Sequence, residues 1–266
     1  MTAMIPAIEN APRRRDPRIF VVMPAFNVER TLEQTYRAIP EPLRQNILLG
    51  DNQSIDGTGE VARRLGIEVI RHDNNYGYGG NLKRLFRAAV ARGADVVVEL
   101  HPDYQYEPRV IDLLVEFILR DYFDVMQGNR IRSRDESLGG GMHWYRYFGN
   151  RFVTLFENVW FGLTLGEWHS GMKAFRSEVL DALPLETYSD THAFASEILM
   201  DCVMMGFRVG EIPIPVRYEA DSSSVSPLRL FAYVFRTIGY AFARPPWRRK
   251  RFGSVKLPPF SGDRER

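Results

Sequence analysis

Residues 95–105 read Asp-Val-Val-Val-Glu-Leu-His-Pro-Asp-Tyr-Gln, an apolar run that passes directly into a polar turn. The valines favour a buried strand, and the proline and polar residues that follow end it. The turn carries an imidazole at His101 and a carboxylate at Asp103, and both groups can bind a ligand or a metal. Because ligands of open α/β sheets bind beyond the carboxyl ends of the strands, this stretch predicts a strand and a site together.

The rest of the amino-terminal half repeats the same unit, a short β-rich run followed by a helical pattern. Further strands are predicted at residues 19–23, 46–50, 67–70 and 124–127. Between two of them, apolar residues from Leu82 to Val90 recur with the spacing of one helix face. Alternating strands and helices predict the α/β class, with a Rossmann-like, mainly parallel sheet flanked by helices.

Polar or glycine-rich residues follow each of the first four predicted strands. These clusters lie at residues 24–27, 51–58, 74–81 and 101–105. Turn chemistry explains any one of them, but a parallel sheet brings all four to one edge, where they predict a ligand site. Pro24 stands where a nicotinamide-dependent dehydrogenase needs a glycine-rich phosphate-binding turn, so the sequence excludes that class.

The second half of the chain differs in its residue pattern, because a long aromatic helix is predicted from Trp144 to Trp160. Its apolar stripe consists of Trp144, Phe148, Phe152, Leu155 and Val159. This helix packs either within the domain or against a partner, and the sequence leaves both open. Further on, Pro213 and Pro215 restrict the strand-like run at 208–218 to the edge of a sheet.

Composition and charge narrow the function classes. The chain has 266 residues and a single cysteine, Cys202, which favours a reducing compartment and therefore the cytosol. Residues 1–17 lack the apolar core of a signal peptide and are predicted to form a flexible tail. Between Asp221 and Asp263 the chain carries +8, which leaves −6 on the remainder of a chain whose net charge is +2. A nucleic-acid-binding module would spread its charge more widely, so no nucleic acid is expected.

The carboxyl-terminal segment contains an amphipathic helix, predicted over residues 228–243. It is shorter than the roughly 20 residues needed to span a bilayer. Its polar residues fall within one arc, namely Arg229, Tyr233, Arg236, Thr237, Tyr240 and Arg244. Such a helix lies on a membrane surface, where Trp247 and the cluster at 248–251 favour anionic lipid, or it packs on the domain with a solvated basic face.

Seven motifs, in order and spacing, resemble family 2 glycosyltransferases. The resemblance is to the dolichol-phosphate mannosyltransferase-like and polyprenyl-phosphate branch, over Arg18 to Tyr218. It implies a GT-A fold at 18–225, with a nucleotide-sugar half at 18–130, an acceptor half at 131–225 and a basic segment at 226–266. The motifs lie at residues 24–27, 51–58, 75–80, 101–108, 128–130, 170–176 and 206–213.

The resemblance also implies how a donor would bind. The donor would be a nucleoside-diphosphate sugar of the UDP or GDP type, its base and ribose held by residues after the first two strands. These residues are Pro24, Ala25, Asn27, Asp51, Asn52 and Asp56.

A divalent metal, Mg²⁺ or Mn²⁺, is expected from the same resemblance. Asp103 corresponds to the metal ligand and to a catalytic position, and Gln105 stands where relatives supply a further ligand. The family usually shows Asp-x-Asp here, so His101 replaces the first acid. Mg²⁺ prefers oxygen donors whereas Mn²⁺ tolerates imidazole, so the change is compatible with a metal but removes one negative charge.

The acceptor decides the remaining roles. By the resemblance, the anomeric centre is inverted as a diphosphate leaves, with Arg130 beside that diphosphate. A lipid phosphate acceptor at the inner face of the membrane would be held by Lys173, Arg217 and Arg146 and needs no strong base. A saccharide or small-molecule hydroxyl would need one, for which Glu167 is the candidate. A third possibility is a binding protein on a degenerate transferase scaffold.

Overall fold

The β-rich runs form the centre of one seven-stranded sheet. The computed structural model describes residues 17–217, 227–258 and 260, with side chains from residue 233 onward in the helix that begins at Pro227. The strands are β1 (Ile19–Ala25), β2 (Ile47–Asp51), β3 (Glu68–Arg71), β4 (Val96–Glu99), β5 (Val125–Asn129), β6 (Lys173–Arg176) and β7 (Val209–Pro213).

The strand order is β3-β2-β1-β4-β6-β5-β7, and β6 alone among these strands runs antiparallel to its neighbours. The predicted mainly parallel sheet is therefore confirmed, as is the edge position of β7. The strand β6 was not predicted from the sequence. Its four residues are all buried at the centre of the sheet, but Lys173 and Arg176 at its ends hide the apolar signal of a buried strand.

Helices cover both faces of the sheet. They are α1 (Glu29–Ala38), α2 (Thr58–Arg64), α3 (Gly77–Ala91), α4 (Ile111–Leu119), α5 (Arg134–Gly139), α6 (Trp144–Phe161), α7 (Ser177–Ala182), α8 (Phe194–Met205) and α9 (Pro227–Phe242). Alternate residues of β1 enter opposite cores, because side chains alternate across a strand. Val22 packs with α3 and α8, whereas Val21 and Met23 pack with α1 and α4.

The glycine-rich turn after β3 is the start of α3, packed closely against the loop at 189–190. A Cβ atom on Gly79 would lie 2.2 Å from the Ser189 carbonyl oxygen, and the Gly79 amide donates to the Asp190 carbonyl at 2.8 Å. Glycine is therefore required here for close packing.

The helix α9 packs on the domain through its polar arc. Arg236 lies 3.2 Å from the Glu197 carboxylate, and Tyr240 and Arg244 both bind Asp201. The helix is thus packed on the domain, as one of the two expected alternatives has it, with Arg244 half-buried against α8 and the Arg236 side chain still 53% exposed. The Arg229 side chain lies outside the described residues. Among residues 17–217, 227–258 and 260, no helix combines the length and apolar character that crossing a bilayer requires.

A buried ion pair fastens the edge strand β7 to the sheet. Asp124, just before β5, is fully buried and accepts hydrogen bonds from the Arg208 backbone nitrogen and guanidinium, both at 2.7 Å. Arg208 also reaches Asp121 at 2.6 Å. Since a buried carboxylate without a partner is costly, this contact fixes the position of β7.

Removing the guanidinium should therefore destabilise the fold. We expect Arg208→Ala to lower the free energy of unfolding by about 3 kcal/mol, measured by urea denaturation. Arg120→Ala is the matched control, because Arg120 pairs with Glu116 on an exposed helix surface and should cost less than about 1 kcal/mol. Equal losses in the two variants would contradict the role given to Arg208.

Candidate active site

The sheet brings the predicted clusters to one edge. Ala25 at the end of β1 pairs with Asp51 at the end of β2, and Val22 pairs with Glu99 at the end of β4. The turn at 101–105 thus emerges beside the loops that follow β1 and β2. Two threonines of α1, Thr31 and Thr35, donate to the Pro102 carbonyl at 2.8 and 3.1 Å, which holds this turn in place.

The loops after β1 and β2 are joined by side chains predicted to bind nucleotide. The Asn27 side-chain oxygen accepts a hydrogen bond from the Ile55 backbone amide at 2.9 Å, and the Asn27 backbone amide donates to the Ser54 hydroxyl at 3.0 Å. Asp56 accepts from the Glu29 amide at 3.1 Å. In this structure Asn27 and Asp56 use these oxygens to shape the pocket, and their direct contact with nucleotide stays a prediction.

Asp51 is the better placed of the predicted nucleotide ligands. Its Oδ1 accepts from the Ser54 amide at 2.9 Å, whereas its Oδ2 lies 3.9 Å from the Arg71 guanidinium, beyond hydrogen-bonding distance. Since Asp51 is only 1% exposed, a hydrogen bond from a base or ribose to Oδ2 stays a prediction. Asn52 instead holds the loop after β3, donating to Asn75 at 2.9 Å. Pro24 and Ala25 lie beside Asp51 on β1.

The turn after β4 has a defined geometry around Asp103. Its Oδ1 accepts from the Gln105 amide at 3.1 Å, and Tyr104 between them has a left-handed φ of 59°. Within the described ranges, no three His, Cys, Asp or Glu side chains cluster closely enough to hold a metal. The Asp103 carboxylate and the side-chain carbonyl of Gln105 are oxygen ligands that suit Mg²⁺ or Mn²⁺, provided that substrate phosphates and water complete the coordination.

His101 contacts an aromatic and acidic neighbour. Its Nε2 lies 2.9 Å from the Tyr78 hydroxyl, and that hydroxyl donates to the buried carboxylate of Glu99. The Glu99 Oε1 is 3.8 Å from the same ring nitrogen. Nε2 therefore already has a hydrogen-bond partner, and its geometry does not favour binding of a metal through this atom. His101 as a metal ligand stays a prediction.

The half-buried Arg130 forms an ion pair with the fully buried Glu167. The Arg130 Nε lies 2.8 Å from one carboxylate oxygen, its backbone amide donates to the other at 3.0 Å, and Asn150 donates at 3.2 Å. Burial alone raises the pKa of Glu167, but the Arg130 guanidinium outweighs burial and holds this pKa below its ordinary value. Glu167 is therefore ionised and a poor acceptor of a substrate proton.

The predicted acceptor-binding cations occupy three different environments. Lys173 is fully buried and donates to the Ser170 carbonyl, and burial lowers its pKa. This placement corrects the expectation that Lys173 is presented to a phosphate. Arg217 lies over the Tyr104 ring at 4.3 Å, next to the turn, and Arg146 is half-buried on α6. Of the three, the structure brings Arg217 to the turn.

A buried polar cluster beneath the ion pair was largely missed by the sequence analysis. His169 Nδ1 lies 2.7 Å from the Tyr233 hydroxyl and 2.8 Å from the Ser196 hydroxyl, and its Nε2 lies 3.2 Å from the Glu157 carboxylate. Burial raises the pKa of Glu157, partly offset by His169. The signal that could have found it is Glu157 itself, a lone acid in the aromatic helix.

Comparison with known proteins identifies the family. The model of Glycosyl transferase family 2 matches residues 20–183, a span that includes Asp51, Asp103, Arg130 and Glu167. The chain belongs to glycosyl transferase family 2. Its resemblance to that family is thereby confirmed, and the chain is a glycosyltransferase.

Relatives within family 2 point to one branch. The dolichyl-phosphate hexose transferase of Haloferax volcanii is 27% identical, over 82% of this chain and 91% of its own. The undecaprenyl-phosphate mannosyltransferase of Micrococcus luteus is also 27% identical, over 79% of this chain and 88% of its own. These names support the polyprenyl-phosphate branch predicted from the motifs.

Solved structures confirm the GT-A fold. Glucosyl-3-phosphoglycerate synthase from Mycobacterium tuberculosis, in complex with Mn²⁺ and UDP-glucose, superposes with a TM-score of 0.65. It is 22% identical and covers 86% of this chain and 79% of its own. At this identity the likeness establishes the fold.

Glu107, whose carboxylate binds Arg217, should make the free energy of unfolding depend on pH. Hydrogen bonds from Arg109, then from Arg217, outweigh burial and lower the pKa of Glu107 from 4.5 to about 2. Its stabilisation is therefore complete above pH 4.5 and is lost as pH falls through about 2. We expect Glu107→Gln to cost about 2 kcal/mol at neutral pH.

This difference from the unmodified chain should shrink towards zero at acid pH, measured by urea denaturation across the pH range. Glu116→Gln, on an exposed surface, is the control and should change stability little at either end. A cost for Glu107→Gln that is constant with pH would rule out ionisation as its cause.

Proposed function

We propose that this glycosyltransferase moves a sugar, with inversion, from a nucleoside-diphosphate sugar to a polyprenyl phosphate at the cytosolic face of a membrane. The observation that carries the choice of acceptor is the state of Glu167, which is buried, ionised and bound to Arg130. The names of the Haloferax and Micrococcus relatives support the same acceptor class.

The acceptor class follows from proton chemistry. A hydroxyl acceptor must lose a proton to a base, and efficient bases have a pKa near the working pH. The pKa of Glu167 is lowered instead, and its oxygens are taken up by Arg130 and Asn150. A phosphate oxygen is already ionised near neutral pH and needs no base, which fits the site better.

Glu167 acts in this proposal as a positioning residue for Arg130. It fixes the guanidinium from the buried side. In this proposal Arg130 would supply positive charge to the leaving diphosphate. Arg217, next to the turn, is the cation we assign to the acceptor phosphate.

Asp51 and the loops around it would hold the base and ribose of the donor. Asp103, with Gln105, would hold Mg²⁺ or Mn²⁺. When bound, the metal neutralises negative charge on the diphosphate. The position of Asp103 in the turn that follows β4, beside the end of β1, supports this role.

Donor binding can be tested without knowing the sugar. At saturating ligand, UDP or GDP with Mn²⁺ should raise the melting temperature by about 5 °C, because binding to the folded state stabilises it. Asp51→Ala should abolish the shift, whereas Asp103→Asn should remove the part that depends on metal. Absence of any shift with either nucleotide would favour a degenerate scaffold.

The acceptor is tested by Glu167→Gln, which keeps the shape of the side chain and removes its charge. For a phosphate acceptor we expect kcat to fall less than about tenfold, by an amount that does not change with pH, since no proton is taken. The assay measures labelled sugar transferred from nucleotide donors to undecaprenyl phosphate.

A hydroxyl acceptor predicts a different outcome for the same variant. Loss of a general base costs about 10²–10⁴-fold in kcat and changes the pH profile, with donor binding intact. That result would refute the phosphate acceptor. The melting shift with nucleotide distinguishes the two causes of lost activity: a normal shift indicates a lost base, and an absent shift indicates a misfolded site.

A further inference from the structure

The aromatic helix α6 presents an apolar stripe to solvent. Its members are between 55% and 77% exposed, and they recur every three or four residues over a helix about 27 Å long. They are Trp144, Phe148, Phe152, Leu155 and Val159. The helix itself packs within the domain through a face that includes Val153 and Phe161, so the stripe is left for a partner, the other alternative that the sequence left open. Contiguous apolar surface of this kind marks an interaction site.

The helix α9 continues this surface, because its polar side chains described from residue 233 onward face the domain, apart from Arg236, which is 53% exposed. Tyr233, Arg236 and Arg244 bind groups of the domain, while Phe235 and Phe242 are 73% and 57% exposed. A surface helix ordinarily buries its apolar face and exposes its polar one. The reversed arrangement indicates that the outer face of α9 meets an apolar partner.

The two helices form one continuous face. The Phe242 ring of α9 lies 4.7 Å from Trp160 and 5.9 Å from Phe156 of α6. Trp247, which is 80% exposed, follows α9 directly. We call this face the apolar platform, defined by Trp144, Phe148, Phe152, Leu155, Val159, Phe235, Phe242 and Trp247.

Cations stand at one end of the apolar platform. Arg248, Lys250 and Arg251 are exposed, and the Arg249 guanidinium lies beside Gly162 at the carboxyl end of α6. Aromatic side chains next to exposed lysine and arginine match the interface of an anionic bilayer, where rings enter the headgroup layer and cations bind lipid phosphates. This charge pattern identifies lipid rather than a second copy of the chain as the occupant.

We propose that the apolar platform docks this glycosyltransferase on the surface of an anionic membrane. The choice of a bilayer as partner rests on the proposed function, whose acceptor is a lipid phosphate. Side-chain contacts connect the apolar platform to the candidate active site. Tyr233 of α9 contacts His169, and the His169 carbonyl accepts a hydrogen bond from the Arg130 guanidinium at 3.2 Å. The apolar platform is thereby held in a fixed position relative to Arg130.

Flotation of the full chain with vesicles tests the docking, without donor or acceptor. The chain should float with vesicles of phosphatidylcholine mixed with phosphatidylglycerol. The double variant Phe148→Ser with Phe152→Ser should bind about tenfold more weakly or worse, because apolar area drives insertion. Its melting temperature should not fall, since both side chains are exposed.

The matched control is Leu113→Ser, which removes a 52% exposed apolar side chain from α4 and should leave flotation unchanged. Arg248→Glu with Arg251→Glu should weaken binding to the anionic vesicles, and added salt should do the same. No flotation of the unmodified chain, or an equal loss in Leu113→Ser, would overturn the proposal.

A second copy of the chain is the competing occupant. Sedimentation that shows a dimer, broken by Phe148→Ser with Phe152→Ser, together with no flotation, would assign the apolar platform to self-association. Flotation uses no sugar substrate, so its failure leaves the melting-shift and transfer results to decide the proposed function independently. Failure of donor binding would likewise leave the lipid result standing.

Discussion

The ion pair between Arg130 and Glu167 is the interaction on which the second half of the molecule depends. Glu167 is completely buried, and a buried carboxylate persists as an ion only when a cation and hydrogen bonds replace its water. Arg130 at the end of β5 supplies both, and Asn150 of α6 adds a third contact. The pair therefore fixes the end of β5, the loop before β6 and the aromatic helix relative to one another.

The position of α9 follows from the same requirement that buried acids be paired with cations. Glu197 and Asp201 of α8 lie almost buried and require cations, which Arg236 and Arg244 supply. Once these ion pairs direct the polar arc of α9 towards the domain, Phe235 and Phe242 on the other side of the helix are left at the surface. The apolar platform is thus a consequence of how α8 is neutralised, and the exposure of its side chains is stabilised by contacts on the opposite face of the helix.

Much of the sheet could be predicted from the sequence, because β-branched runs followed by polar turns are local signals. The strands from β1 to β5 and the edge position of β7 were obtained in this way. The strand β6 was not, since Lys173 and Arg176 are buried through contacts made far away in the sequence. The orientation of α9 was missed for the same reason, because a helical wheel shows an arc but not the acids that face it. The positions of Asp51 and Asp103 at strand ends could be predicted from the sequence, and their roles stay predictions from the family resemblance, whereas the environment of Glu167 required the packed structure.

The replacement of the usual acid by His101 is explained by the charges around it. Glu99, two residues earlier, is buried and lies 3.8 Å from the His101 ring, with Tyr78 between them as a hydrogen-bond partner. A carboxylate at position 101 would stand close to that of Glu99, and two like charges at such a distance in a poorly solvated site disfavour one another's ionisation. Imidazole avoids this repulsion and adds a contact to Tyr78. If the proposed donor binds at this turn, one acid fewer would face its diphosphate, and a metal held at Asp103 would depend more strongly on oxygen atoms of the donor itself.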